Sequence, residues 1–378
     1  MIYLEPISGD SMKPINEQLL ADFFAEADTI CGAEDTLHAL FIHHLIMSGI
    51  EHDRVHREYR MNGAPVDITL FDKALERGGK PRVAMEFKGG AYNTRNSLAD
   101  TIDAMGHCAD LTKLRPFANA GVECWFVCVD MAELGVALHG TERHRVAEQC
   151  RTHGVRFAYF CQREGRFFVD LGRGLVDRPV SLERTGTQCG VVAFRSDADA
   201  PWAKRLASMC AETVGSEDTH IAWLYHALRR TGYGVGQLSL ETYFNCASGG
   251  SRMQLRPDLA VFDTEVGGRF NLYRNGDPAR PNDSHKLAHL QAIVEVKGSA
   301  ATARFSSARL AKQVAADIDK LGDWRARMSA AHPTSRAGKA DYVMLVVGSV
   351  ARGACDEYAS TLRGRADAVG VNLMHFGG

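Results

Sequence analysis

The sequence predicts an α/β protein in which one arrangement of helices and strands occurs twice. Two observations lead to that prediction. Strands rich in β-branched and aromatic residues alternate with helical patterns, and both halves of the chain repeat the same element order. A third is length, since 378 residues suffice for two domains of ordinary size. The expected units are residues 1–171 and 200–378, joined by a linker over 172–199 that contains Gly174, Pro179 and Gly190.

The elements follow in order. Glu34-Asp35-Thr36 opens a helix through Leu37, Leu40, Phe41, His44 and Leu45, and Glu217-Asp218-Thr219 opens its counterpart through Ile221, Trp223, Leu224, Ala227 and Leu228. Apolar residues recur there at three- and four-residue spacing. Ser216 is placed to cap the second helix, and Gly49 and Gly232 end the two. Two strands come next, 67–72 with 83–89 in the first half and 258–263 with 293–298 in the second. A short turn at Gly78-Gly79 joins the first pair, and a polar stretch over 267–289 joins the second. Ala109-Asp110-Leu111-Thr112-Lys113-Leu114 then echoes Ala316-Asp317-Ile318-Asp319-Lys320-Leu321 as a helix. A buried-looking strand (124–129 or 342–347), a helix (141–152 or 357–368) and a last strand (155–161 or 371–376) complete each half.

Composition narrows the classes. The apolar runs are too short to cross a bilayer, and the N-terminus lacks a basic-then-apolar signal pattern, so a cytoplasmic protein with no membrane partner is expected. Ten scattered cysteines form no CxxC pair, which argues against a disulfide framework or zinc knuckle. The net charge of −2 is not that of a general nucleic-acid binder. Binding to DNA would need basic residues gathered on one face, or a divalent cation offsetting local acidity.

The repeated charged residues carry the chemistry. Residues i and i+2 of a strand share a face, so Glu86 and Lys88 project together, as do Glu295 and Lys297. Asp67 and Asp258 lie on the preceding strands. If those strands pair, Asp, Glu and Lys converge. Hard divalent cations take carboxylate oxygens, here Asp67 with Glu86 and Asp258 with Glu295, and the backbone carbonyls of Phe87 and Val296 can add another ligand. The lysine can form a salt bridge, or it can position water and stabilise negative charge as a phosphodiester is hydrolysed. Glu34 and Glu217 are the favoured additional acids, with Glu58 and Glu241 as rivals.

Pro257-Asp258 followed by Glu295-Val296-Lys297 resembles the PD-(D/E)xK motif of restriction-endonuclease-like nucleases. Asp67 with Glu86-Phe87-Lys88 resembles a second copy, with Val66 in place of the usual proline. The resemblance implies two tandem domains, each a mixed central sheet flanked by helices, that hydrolyse DNA phosphodiesters with Mg2+, for which Mn2+ substitutes. It implies a motif of Asp67, Glu86, Lys88, Asp258, Glu295 and Lys297, with Glu34 and Glu217 as the helix glutamates. Duplex DNA is the expected partner. The chain would act as a monomeric pseudo-dimer or a homo-oligomer, with host defence the role associated with the family. The alternatives are a non-catalytic nucleic-acid-binding or scaffold protein on the same fold, and a structure-selective repair nuclease.

Other residues have blander readings. Asp72 and Asp263 end strands and are expected to form turns. His44 lies on an apolar stripe and is expected to be a core histidine, with His43 beside it. Arg54, His56, Arg57, Arg60, Arg309 and Lys312 can touch phosphates or sit on solvated faces, and Tyr92, Tyr233 and Tyr243 can stack on bases or pack.

Overall fold

Asn16 begins the ordered chain of elements, because its side-chain oxygen accepts from the amide of Leu19 at 2.9 Å and caps the first helix. A computed structural model describes residues 15–61, 65–90, 109–131, 138–180, 192–211, 215–248, 251–270, 283–298, 307–331, 336–347 and 349–376. The first half comprises α1 (Glu17–Ala27), α2 (Glu34–Met47), β1 (Val55–Arg60), β2 (Pro65–Phe71), β3 (Pro81–Gly89), α3 (Ala109–Asn119), β4 (Glu123–Asp130), α4 (Gly140–Thr152), β5 (Val155–Cys161), β6 (Arg166–Asp170) and β7 (Leu175–Pro179). The second comprises α5 (Pro201–Ala211), α6 (Glu217–Arg230), β8 (Leu238–Leu240), β9 (Phe244–Ser248), β10 (Ser251–Leu255), β11 (Leu259–Phe262), α7 (Asp283–His289), β12 (Leu290–Gly298), α8 (Ser307–Ala331), β13 (Asp341–Val347), α9 (Ser349–Val369) and β14 (Asn372–Phe376). No helix among the described residues is long and apolar enough to cross a membrane.

The architecture is mixed α/β with two mixed sheets. The first has the order β1-β2-β3-β4-β5-β6-β7 and the second β14-β13-β12-β11-β8. In each, an antiparallel trio (β1-β2-β3 or β8-β11-β12) passes into parallel strands (β4 and β5, or β13 and β14). Even an irregularity recurs, since the register shifts at Leu70/Phe71 and again at Val261/Phe262. The first half adds the antiparallel strands β6 and β7, and the second adds the β9–β10 hairpin. Strand β7 corrects the expected linker: Leu175–Pro179 belongs to the first sheet, so that unit extends past residue 171. Within the long polar insertion, 271–282 lies outside the described residues and 283–289 forms α7.

Strand alternation divides the first half into layers. Met85, Phe87, Trp125, Val127 and Phe160 join the core under α1 and α2, while Ala84, Phe126, Cys128, Phe157 and Tyr159 join Leu114, Phe117 and Val146 of α3 and α4. The first of these cores does not stop at the half's boundary. It continues through Leu37, Leu40 and Phe41 of α2 into Trp223, Leu224 and Leu228 of α6 and on to Ile293, Val294 and Val296 of β12. Helices α2 and α6 thus face each other across an approximate two-fold relation. His43 and His226, at equivalent positions, lie 4.9 Å apart between ring centres. The Thr36 hydroxyl accepts from the Leu240 amide at 2.9 Å, and the Thr219 hydroxyl accepts from the Arg57 amide at 2.9 Å. Each half's helix therefore holds the first strand of the other half's sheet.

Candidate active site

Pairing between β2 and β3 sets the site. Ile68 opposes Met85, which brings Asp67 opposite Glu86, and Leu259 opposes Val294, which brings Asp258 opposite Glu295. Asp67 Oδ2 accepts from the Phe87 amide at 2.6 Å, and Asp258 Oδ2 accepts from the Val296 amide at 2.7 Å. Each aspartate is thereby fastened to the backbone between the glutamate and the lysine of the neighbouring strand. Phe87 and Val296 take part through their N–H groups. The Phe87 ring packs against Phe41 and His38 of α2, at 5.3 and 5.1 Å between ring centres, which leaves Glu86 and Lys88 on the opposite face with α3.

Both lysines lie between acids from two helices. Lys88 Nζ is 3.7 Å from Glu34 and 3.6 Å from Asp110, while Lys297 Nζ is 3.2 Å from Glu217 and 3.3 Å from Asp317. Glu34 also accepts from the Gly89 amide at 2.8 Å, and Glu217 from the Gly298 amide at 3.4 Å. The repeated glycine permits this closeness. A Cβ on Gly298 would lie 3.1 Å from the Glu217 Cα and 2.7 Å from His220 Nδ1, and one on Gly89 would lie 2.2 Å from the Val129 carbonyl oxygen.

Four site residues went unassigned in the sequence: Asp110, Lys113, Asp317 and Lys320. Lys113 Nζ donates to Glu86 at 2.9 Å and Lys320 Nζ to Glu295 at 2.6 Å. Asp110 and Asp317 sit within 3.1 and 4.0 Å of the same two lysines, one helical turn away. Each half thus holds an alternating run of acid and base: Glu34, Lys88, Asp110, Lys113, Glu86, and likewise Glu217, Lys297, Asp317, Lys320, Glu295. The signal was the Ala-Asp-x-x-Lys-Leu pattern present in both copies.

Glu58 and Glu241 reach the site from the other side. Neighbouring pairs of β1 and β2 put Glu58 opposite Asp67, and the Glu241 amide donates to the Asp258 carbonyl at 3.4 Å. With φ of 54° and 53°, they are the only non-glycine residues with positive φ among the described residues. Such backbone costs about 1–3 kcal/mol and persists only where surroundings enforce it. The structure sets Glu34 and Glu217 beside the lysines, and Glu58 and Glu241 beside the aspartates.

Burial makes this crowding of acids costly. It pushes the carboxyls of Glu86, Glu295 and Asp258 well above their usual range, and Asp67 beside Glu86 and Asp258 beside Glu295 push further. Burial likewise raises Glu34 to about 7, against the opposing pull of Lys88. It would lower Lys88 and Lys297, but Glu34 and Asp110, or Glu217 and Asp317, outweigh it and keep both ammonium groups charged. Glu86 Oε1 and Glu295 Oε1 are buried without a hydrogen-bond partner. An unpartnered buried carboxyl oxygen beside a second acid suits a hard divalent cation, whose charge would favour the anionic form that burial disfavours.

One difference between the halves touches the acids directly. Glu34, His38 and Asp67 bring ligand atoms within 4.8 Å of one another, and the place of His38 is taken by the apolar Ile221 in the second half. His38 is nevertheless poorly disposed to ligate. A terminal nitrogen of Arg57 donates to its Nδ1 at 3.1 Å, which assigns the ring proton to Nε2. That N–H lies 3.7 Å from Asp67, too far for a hydrogen bond, and is buried without a hydrogen-bond partner.

Most of the remaining candidates are structural. Arg57 is buried and paired with Asp35 at 2.6 Å, which removes it from phosphate contact, and His56 is buried. Arg54 donates to the Phe71 carbonyl. Arg60, Arg309 and Lys312 are exposed. Tyr233 is buried, Tyr243 lies under Arg256, and Tyr92 lies outside the described residues. Asp72 accepts from the Lys80 amide and Asp263 from the Glu265 amide, as turn residues do. His44 pairs with Glu26 at 3.3 Å. No protein-family model, curated protein or solved structure matches the chain.

Proposed function

We propose that this chain is a restriction-endonuclease-like DNA endonuclease that hydrolyses phosphodiesters with two active sites, one in each half. One observation carries the reading: Asp, Glu and Lys come together twice, with the same hydrogen bonds from aspartate to backbone and from helix glutamate to glycine. A surface salt bridge has no need of that duplication.

Asp67 and Glu86 would hold the divalent cation in the first half, and Asp258 and Glu295 in the second, with the carbonyls of Phe87 and Val296 as further oxygen donors. Mg2+ suits these ligands, and Mn2+ substitutes for it. The bound cation would neutralise phosphate charge and acidify a water molecule. Lys88 and Lys297 stay protonated among their carboxylates. Each can orient that water by donating a hydrogen bond and can oppose the charge that grows on phosphate oxygen. Glu34 and Glu217 hold those ammonium groups in place. The imidazole of His38 beside Asp67 belongs to the first half alone, with Ile221 in its place in the second, so the two sites are expected to act at different rates.

A supercoiled plasmid tests the reading. The parent should linearise it with Mg2+. Lys88→Met and Lys297→Met should each only nick it, with the altered site slowed by about 100- to 1,000-fold. Linearisation at the parental rate by either variant would refute the two-site reading. Binding without any cleavage would favour a non-catalytic binder.

A further inference from the structure

Each proposed metal-binding glutamate already carries a cation. Glu86 is 1% exposed and Glu295 4%, so neither carboxylate can rely on water. One oxygen of each is held by a lysine of the following helix, and the other has no hydrogen-bond partner. The lysines are less confined than the glutamates, their side chains being 30% and 37% exposed. Both also have a second place to rest: Asp110 at 3.1 Å for Lys113, and the ring of Trp324, with its centre 4.8 Å away, for Lys320.

We infer that Lys113 and Lys320 are positioning residues that compete with the divalent cation for Glu86 and Glu295, and so set the metal affinity of each half. The inference rests on the reading that these glutamates are metal ligands. A cation on the glutamate would face an ammonium group at hydrogen-bond distance from the same carboxylate. Like charges at that separation repel, and the lysine is the mobile partner. It moves toward Asp110 or Trp324 as the ion enters. A lysine that served only to brace the fold would behave in the opposite way, since its loss would slacken the site and weaken binding.

The test is calorimetric titration of Mn2+ into the full chain without nucleic acid. Lys113→Met with Lys320→Met should bind Mn2+ about tenfold more tightly than the parent. Lys113→Arg with Lys320→Arg keeps the charge and should bind as the parent does. Should the methionine pair fail to fold, Lys113→Gln with Lys320→Gln removes the charge while retaining polarity, and the same tightening is expected. Parental or weaker binding by the folded neutral variant would overturn the competition and leave the metal reading intact. Absence of Mn2+ binding in the parent and every variant would overturn the metal reading, and this inference with it.

Discussion

Glu34 gathers much of the site's chemistry in one side chain. It starts α2, accepts from the Gly89 amide and pairs with Lys88, yet burial and Asp67 raise its carboxyl to about 7. A carboxyl raised in this way is protonated below that value and anionic above it. Glu86 shares the direction of shift, and only the anionic form binds a cation. The proposed ligands Glu86 and Glu295 are raised by burial to about 9 and about 8, so Mn2+ affinity should rise between pH 7 and 9, with protons released on binding. Titrations in two buffers of different ionisation enthalpy measure that release, and a pH-independent affinity with none would contradict it. His38 makes a separate prediction. In a Lys297→Met background, which on the proposed reading would leave only the first site to cut, His38→Ile should reduce nicking by about tenfold and approximate the environment of the second half. Unchanged nicking would show that Asp67 needs no support from the ring.

At the scale of elements, the helix–strand junction is the most constrained feature. Gly89 lies where a Cβ would stand 2.2 Å from a backbone oxygen of β4, which cannot swing aside as a side chain can. Gly89→Ala should therefore cost about 1–3 kcal/mol and lower the melting temperature. It should also impair the first site more than the second, because it displaces the Glu34 contact. Equal stability would show that the strand can relax. The central strands and the helices around them were legible from alternation and spacing, and β5 matches its expected span. Strands β1 and β8 were not. Their sequences, Val55-His56-Arg57-Glu58-Tyr59-Arg60 and Leu238-Ser239-Leu240, lack an extended apolar alternation, and Glu58 within β1 and Glu241 just after β8 carry a positive φ that strand patterns do not announce. Helices α1 and α5 also escaped notice. Their apolar stripes (Leu20, Phe23 and Phe24; Trp202, Leu206 and Met209) precede the acidic start that marks both repeats.

Over the whole molecule, the halves are joined through their interiors. His43 and His226 meet between α2 and α6, where burial pushes both below the usual value of 6.5, to about 2 and about 4. The unfolded chain takes up protons there as pH falls below 6.5, and the folded chain does not. Their contribution to stability is thus present above 6.5 and is lost as pH falls toward 4. The slope is about 1.4 kcal/mol per pH unit for each ring. Urea denaturation at pH 7 and 5.5 should show the loss, and His43→Leu with His226→Leu should flatten it. Glu26 adds a second acid-sensitive joint. Burial alone would raise it, but His44 and Arg229 hold it at about 2, so its contribution fades as pH falls from about 4.5 toward 2. With one core running through both halves, heat should unfold them in a single transition. Two separate transitions would show that they are energetically independent.

Periodicity and repetition in the sequence determined the α/β class, the repeated order of elements and the shared face of Glu86 with Lys88 and of Glu295 with Lys297. These follow from spacing along one strand or helix, which local geometry converts directly into a shared face. Tertiary structure alone decided which glutamate meets the lysine, which lysine holds the glutamate, that Arg57 is buried instead of facing a phosphate, and that each half's helix holds the other's first strand. Those pairings join residues far apart in the chain. They depend on how sheets and helices pack, and packing leaves no fixed interval in a sequence.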